Sequence, residues 1–206
     1  MADALKQAKK ALRKEMGAKL IQIPEEEIQR QTNEVTRKII EDPNYQSAKR
    51  VSVYVNTAGE IKTDEIIRHA LKSNKEVFIP WFAKGNPFMQ MVELKEVEEF
   101  DELKPTLWGI RQFPTIDGRK SYKDVGSLDL VLAPGVAFTI GGNRLGHGMA
   151  FYDKFFGEHQ EKFGKMPTRY ALALNQQILE CIPVDNDTDV KMDQIVHAPR
   201  VDLNFP

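Results

Sequence analysis

Leu128-Asp129-Leu130-Val131-Leu132-Ala133 runs into Pro134-Gly135, then into Gly141-Gly142-Asn143-Arg144-Leu145-Gly146-His147-Gly148, and then into Tyr152-Asp153. The first six residues are almost continuously apolar, as in a strand covered on both faces. Behind the glycine run, residues 148–163 read as a helix. Strand, glycine-rich turn and helix in that order form one arm of an α/β sheet, where ligands gather at the carboxyl ends of strands.

The same alternation extends in both directions. Upstream, Val51-Ser52-Val53-Tyr54-Val55, Glu76-Val77-Phe78-Ile79-Pro80 and Phe88–Leu94 read as strands. A turn at Thr57-Ala58-Gly59 and a helix over 63–73 separate the first two. Downstream, Tyr170-Ala171-Leu172-Ala173-Leu174 is another buried strand, and Asp189–Val196 is a last short segment. Residues 100–127 hold Pro105, Gly109, Pro114, Gly118 and Gly126 and read as irregular. In front of all this, Leu5, Ala8, Leu12, Met16 and Leu20 recur at helical spacing. A second helix starts at Pro24 and its three glutamates and stops at Asp42-Pro43. The expectation is one α/β domain over 1–206, with a largely parallel sheet, helices on both faces and an N-terminal helical segment.

Composition narrows the class. The 206 residues are 41% hydrophobic and 29% charged, without the run of about 18 apolar residues that a membrane span needs. A net charge of −1 gives no global pull toward nucleic acid. The single cysteine, Cys181, cannot form an internal disulfide and is expected to serve packing. These features point to a cytoplasmic protein that binds neither membrane nor nucleic acid. His69 and His159 lie on helical stretches and are expected to be solvated.

The glycine run fits neither generic phosphate motif. Gly141 and Gly146 have P-loop spacing, but His147 and Gly148 stand where Lys and Ser/Thr belong. Phe151 occupies the third glycine position of a dinucleotide fingerprint. Such a loop serves as a structural turn or as an anion site. Arg144, His147, Tyr152 and Asp153 beside it favour the anion, because a helix N-terminus and a planar guanidinium both suit phosphate oxygens.

Pro134–Phe138, Gly142–Gly148 and Phe151-Tyr152-Asp153 together resemble the signature of 5-formyltetrahydrofolate cyclo-ligases. Lys9 and Arg13, four apart on the first helix, resemble that family's basic N-terminal helix. Tyr54-Val55 with Glu60-Ile61 and Thr63, Trp108-Gly109-Ile110, and Asp189–Asp193 resemble its other segments, in the same order. The resemblance implies that ATP and Mg²⁺ drive cyclisation of 5-formyltetrahydrofolate to 5,10-methenyltetrahydrofolate; the chain is expected to act as a monomer. It implies catalytic roles for Arg144, His147 and Tyr152. ATP would be held by Lys9, Arg13, Arg144, Leu145, Gly146, His147, Gly148, Met149, Ala150, Phe151 and Tyr152. The folate would meet Val55, Glu60, Trp108, His147 and Phe151, and Mg²⁺ would meet Asp153 and Asp189.

Each role has a plainer rival: surface charge for Lys9 and Arg13, a helix-dipole acid for Asp153, turn acids for Asp189 and Glu60, core packing for Trp108. The chain also departs from the family's common Arg-Gly-x-Gly-Tyr-Tyr-Asp, with His147-Gly148-Met149-Ala150-Phe151-Tyr152-Asp153. Histidine gives a weaker fixed charge than arginine near pH 7. Ala150 must keep φ negative or accept strain of about 1 kcal/mol. A folate-binding relative with weakened catalysis is the alternative reading.

Overall fold

Two helices lead the chain, α1 (Ala2–Leu20) and α2 (Glu25–Glu41). The computed structural model describes residues 2–200, so both ends of the expected 1–206 unit lie outside the described residues. Helix α2 buries Ile28, Gln31, Thr32, Val35 and Ile39, one stripe at helical spacing. Among its described residues, helix α1 buries Met16 and Leu20, at its end. Asp42 ends α2 and caps α3 (Pro43–Ser47), accepting the Asn44 and Tyr45 amides.

There follow β1 (Arg50–Val53), α4 (Asp64–Lys72), β2 (Glu76–Trp81) and β3 (Gln90–Leu94). The expected strand at 88–94 starts two residues late, because Pro87-Phe88 still belongs to the turn and Phe88 is exposed. The stretch read as irregular is built of short pieces: α5 (Val97–Asp101), β4 (Lys104–Pro105), β5 (Arg111–Gln112) and α6 (Tyr122–Val125). Each is too short for a periodic signal, and the pieces gain order from side chains. The Gln112 amide is bonded to both the N–H and the C=O of Phe82, acting as an extra ladder rung. Trp81 Nε1 donates to the Phe113 carbonyl, and Ser121 with Asp124 forms a capping box on α6.

The chain closes with β6 (Leu130–Ala133), the hairpin β7 (Ala137–Phe138) and β8 (Arg144–Leu145), α7 (Phe151–Phe163), β9 (Thr168–Ala173) and β10 (Gln194–His197). The sheet order is β10-β9-β6-β1-β2-β3, parallel except for β3. All of Leu130–Ala133 is buried, as the opening motif requires. From β1 the chain steps to β2 through α4; from β6 it steps the opposite way to β9 through α7. Right-handed crossovers running in opposite directions place these helices on opposite faces. The reversal lies between β6 and β1, so the crevice beyond their carboxyl ends is the natural ligand position.

Candidate active site

A cavity of about 470 Å³ opens at that reversal. Tyr54 and Val55 enter it from the end of β1, Pro80 and Phe82 from β2, and Pro134 from β6. Its apolar wall is an aromatic cluster. The Phe82 ring lies 5.0 Å from Phe151 and 5.8 Å from Trp108, and Trp108 lies 6.0 Å from Phe151. Trp108 is 57% exposed, so the rival reading of it as core fails. It sits at the lip with φ +58, and Ala150 on the facing loop has φ +54. Asn74 is the third non-glycine with positive φ among the described residues. Asparagine tolerates that region; tryptophan and alanine do not, so backbone strain is concentrated at the cavity.

Glu60 is buried at the polar end. The Thr57 amide and hydroxyl both donate to its Oε2, at 2.7 and 3.1 Å. Its Oε1 is left facing the cavity, 3.7 Å from His147 Nε2. Burial pushes the carboxyl up to about 7, against the pull of the two Thr57 donors. Burial also holds the His147 imidazole below its ordinary 6.5, reinforced by the Arg144 and Arg13 charges, even though the side chain keeps 60% exposure at the loop. Packed protein on one side and open cavity on the other account for both properties. His147 is therefore uncharged at neutral pH in the free protein.

The run read as one phosphate cradle is divided in two. Gly141-Gly142 turns the β7–β8 hairpin and docks on the 189–193 segment. Gly142 has φ +91, its carbonyl accepts the Met192 amide at 2.8 Å, and it would place a Cβ 2.4 Å from the Met192 oxygen. Leu145 is a buried hairpin residue whose carbonyl accepts the Val136 amide, and it does not line the cavity; nor does Gly148. The part facing the cavity is Gly146-His147 with Met149–Asp153, ending in the N-terminus of α7, where no side chain caps the free amides. The helix starts at Phe151, later than the expected 148, because Ala150 is left-handed. Ala150 thus takes the strained alternative.

Arg144 is not the free fork its sequence position suggests. It is buried, with Nη2 3.1 and 3.2 Å from the two Asp153 oxygens, and it lies over the Tyr152 ring at 5.4 Å. Its Nε and the Tyr152 hydroxyl are buried without a protein partner, and both side chains line the cavity. Such atoms are costly unless something else bonds to them. Burial raises the Tyr152 phenol well above its ordinary pKa, so it remains a donor.

Helix α1 reaches this region from the far end of the sequence. Arg13 Nε donates to the Gly146 carbonyl at 2.7 Å, and Lys9 Nζ pairs with Asp189 Oδ2 at 2.5 Å. Asp153 in turn accepts the Val190 amide, so the carboxylates of Asp153 and Asp189 stand on touching segments. Two carboxylates suit Mg²⁺ only with phosphate and water oxygens completing the shell. No group of three or more His, Cys, Asp or Glu that could hold a metal exists among the described residues.

Phe82, Pro80, Thr57 and Pro134 were missed by sequence reasoning. The signal was there for Phe82 and Pro134, which sit just beyond the ends of parallel strands. His159, His69 and Cys181 differ from expectation. His159 is fully buried, its Nε2 accepting the Leu128 amide and its Nδ1 donating to the Lys165 carbonyl. His69 is half-buried against the Tyr45 hydroxyl, and Cys181 is exposed.

Residues 5–198 match the model of the 5-formyltetrahydrofolate cyclo-ligase family. A Caenorhabditis elegans protein named as a probable 5-formyltetrahydrofolate cyclo-ligase is 48% identical over 196 residues, 95% of each chain. The Mus musculus 5-formyltetrahydrofolate cyclo-ligase is 36% identical, over 95% of this chain and 96% of its own. The solved structure of Aquifex aeolicus 5,10-methenyltetrahydrofolate synthetase superposes with a TM-score of 0.72 at 26% identity, covering 91% of this chain and 88% of that one. The chain belongs to the 5-formyltetrahydrofolate cyclo-ligase family.

Proposed function

We propose that this protein uses ATP and Mg²⁺ to cyclise 5-formyltetrahydrofolate to 5,10-methenyltetrahydrofolate, releasing ADP and phosphate. The observation that carries the proposal is the shape of the one site. An aromatic slot with a buried carboxyl at its polar end opens directly onto a helix N-terminus flanked by Arg13 and Lys9. A flat heteroaromatic ring fits the first part and a polyphosphate the second.

The chemistry explains why both must be adjacent. A formamide oxygen is a poor leaving group. It attacks the γ-phosphorus, ADP departs, and the carbon becomes an activated iminium phosphate. The neighbouring 10-nitrogen adds to that carbon, loses its proton, and phosphate leaves as the amidinium forms. Little covalent help is needed from protein. Phe82, Trp108 and Phe151 hold the ring plane, and Glu60 accepts the pterin's amide and amino hydrogens through the oxygen that Thr57 leaves free. The α7 amides, Arg13, Lys9 and the unpartnered Arg144 Nε and Tyr152 hydroxyl receive the phosphate and the developing charge. Proximity of this kind is worth roughly 7–11 kcal/mol in favourable cases, and each fixed donor about 3–4. Asp153 and Asp189 would hold Mg²⁺, which when bound neutralises phosphate charge. Leu145 and Gly148 serve the backbone of the loop, and Met149 closes the cavity beside Ala150. The protein works as a cytoplasmic monomer.

The test is direct: purified protein, 5-formyltetrahydrofolate, ATP and Mg²⁺, followed by absorbance of the conjugated amidinium. No product with ATP intact would sink the proposal. Tight folate binding without ATP turnover would select the alternative, a binding relative, which the uncharged His147 favours. Asp153→Asn should raise the Mg²⁺ concentration needed for half-maximal rate.

A further inference from the structure

The cations expected to meet phosphate already have partners. Lys9 pairs with Asp189, a carboxylate expected to meet the metal, and both side chains are mostly buried, at 15% and 21% exposure. Asp189 Oδ2 also accepts the Asp185 amide, and its charge reaches Arg13. The neighbouring Arg144–Asp153 pair repeats the pattern more deeply. Helix α1 is tied to the rest of the chain in part by these contacts. Its buried apolar residues are Met16 and Leu20, at one end, and among the described residues Lys9 and Arg13 make its side-chain hydrogen bonds to the rest of the chain.

We infer that the Lys9–Asp189 pair is an exchange lock, opened jointly by a nucleotide polyphosphate that takes Lys9 and a divalent cation that takes Asp189. This rests on the nucleotide reading of the site. A metal-free polyphosphate that draws Lys9 away leaves Asp189 uncompensated beside further negative charge. A divalent cation alone must evict an ammonium and leave it unpaired next to a dication. Breaking a mostly buried pair by removing one partner is the costly move, and supplying both replacements avoids it. The lock therefore couples the two ligands, and the coupling is reciprocal. It selects the metal–nucleotide complex over either component.

The full chain is titrated with Mn²⁺ alone, followed by the resonance signal of the free ion, with a non-hydrolysable ATP analogue in chelator, and with both together. In the parent protein each ligand strengthens the other by about tenfold or more. Lys9→Met frees Asp189, so Mn²⁺ alone binds about tenfold tighter. Asp189→Asn frees Lys9, so the metal-free analogue binds about tenfold tighter, and the metal strengthens it less than in the parent. Misfolding cannot produce these gains. If coupling in both variants equals that of the parent, or if each variant merely loses affinity for its lone ligand, the lock is wrong while nucleotide binding stands. If the analogue fails to bind the parent protein even with Mn²⁺, the nucleotide reading itself falls.

Discussion

His147 and Ala150 stand where this chain departs from its family's common pattern, and the two departures have different physical consequences. Because burial and then the Arg144 and Arg13 charges hold the imidazole below 6.5, the charged form is scarce at neutral pH in the free protein. Efficiency toward ATP should accordingly fall as pH rises, with the fall centred below 6.5, since kcat/KM reports the free enzyme. His147→Gln should remove that limb. A parent profile flat between about 5.5 and 8 would exclude any role for the imidazolium. Ala150 carries strain instead of charge. At φ +54, Ala150→Gly should stabilise the fold by up to about 1 kcal/mol in urea unfolding, with part of the gain returned as glycine's larger unfolded-state entropy. A destabilised variant would mean that the alanine methyl makes packing contacts worth more than the strain.

At the level of elements, the long ones were legible and the short ones were not. The apolar run at 128–133, the helical spacing in α1, the start and stop signals of α2 and the glycine turn ahead of α7 are each long enough, or punctuated enough, to be read. The 100–127 stretch has no such signal, because its pieces are short and several of the hydrogen bonds that order it come from residues far away in sequence, Trp81 and Phe82. For the same reason Trp108 could be named as a candidate but not placed. His159 was misread because helix position alone does not show that a loop amide and a loop carbonyl converge on the ring. The family pattern marked Lys9 and Arg13, yet their actual partners, Asp189 and the Gly146 carbonyl, depend on packing that no spacing encodes. The Gln112 rung gives a test of the lip. Gln112→Ala strands the buried N–H and C=O of Phe82 and should cost about 1–3 kcal/mol of stability. With the aromatic wall loosened, KM for the folate should rise while that for ATP changes little. An equal rise in both would show that the lip is not specific to the aromatic half of the cavity.

For the molecule as a whole, the doubly wound sheet opens a crevice between β6 and β1, and a carboxyl buried there couples function to stability. Glu60 has a folded-state pKa near 7, against an ordinary 4.5. Between those values the folded protein binds more protons than the unfolded chain, so stability must decrease as pH rises through the window. Below 4.5 the burial is free of this cost; above 7 the whole of it is present. From pH 5 to pH 8 the loss attributable to Glu60 should be about 2–3 kcal/mol. Glu60→Gln keeps the shape and the hydrogen-bonding oxygen but does not titrate. Urea unfolding at pH 5 and pH 8 should show the parent losing that much more stability than the variant. Equal losses would mean that Glu60 is solvated or paired in the folded protein. A folate that donates to the ionised carboxyl should repay the cost on binding, so the ligand's stabilising effect should grow with pH in the parent and stay constant in Glu60→Gln. The strain at Trp108 and Ala150, the unpartnered Arg144 Nε and Tyr152 hydroxyl, and the costly Glu60 charge all lie on the same cavity, so a folate bound there should raise the unfolding temperature more at pH 8 than at pH 5.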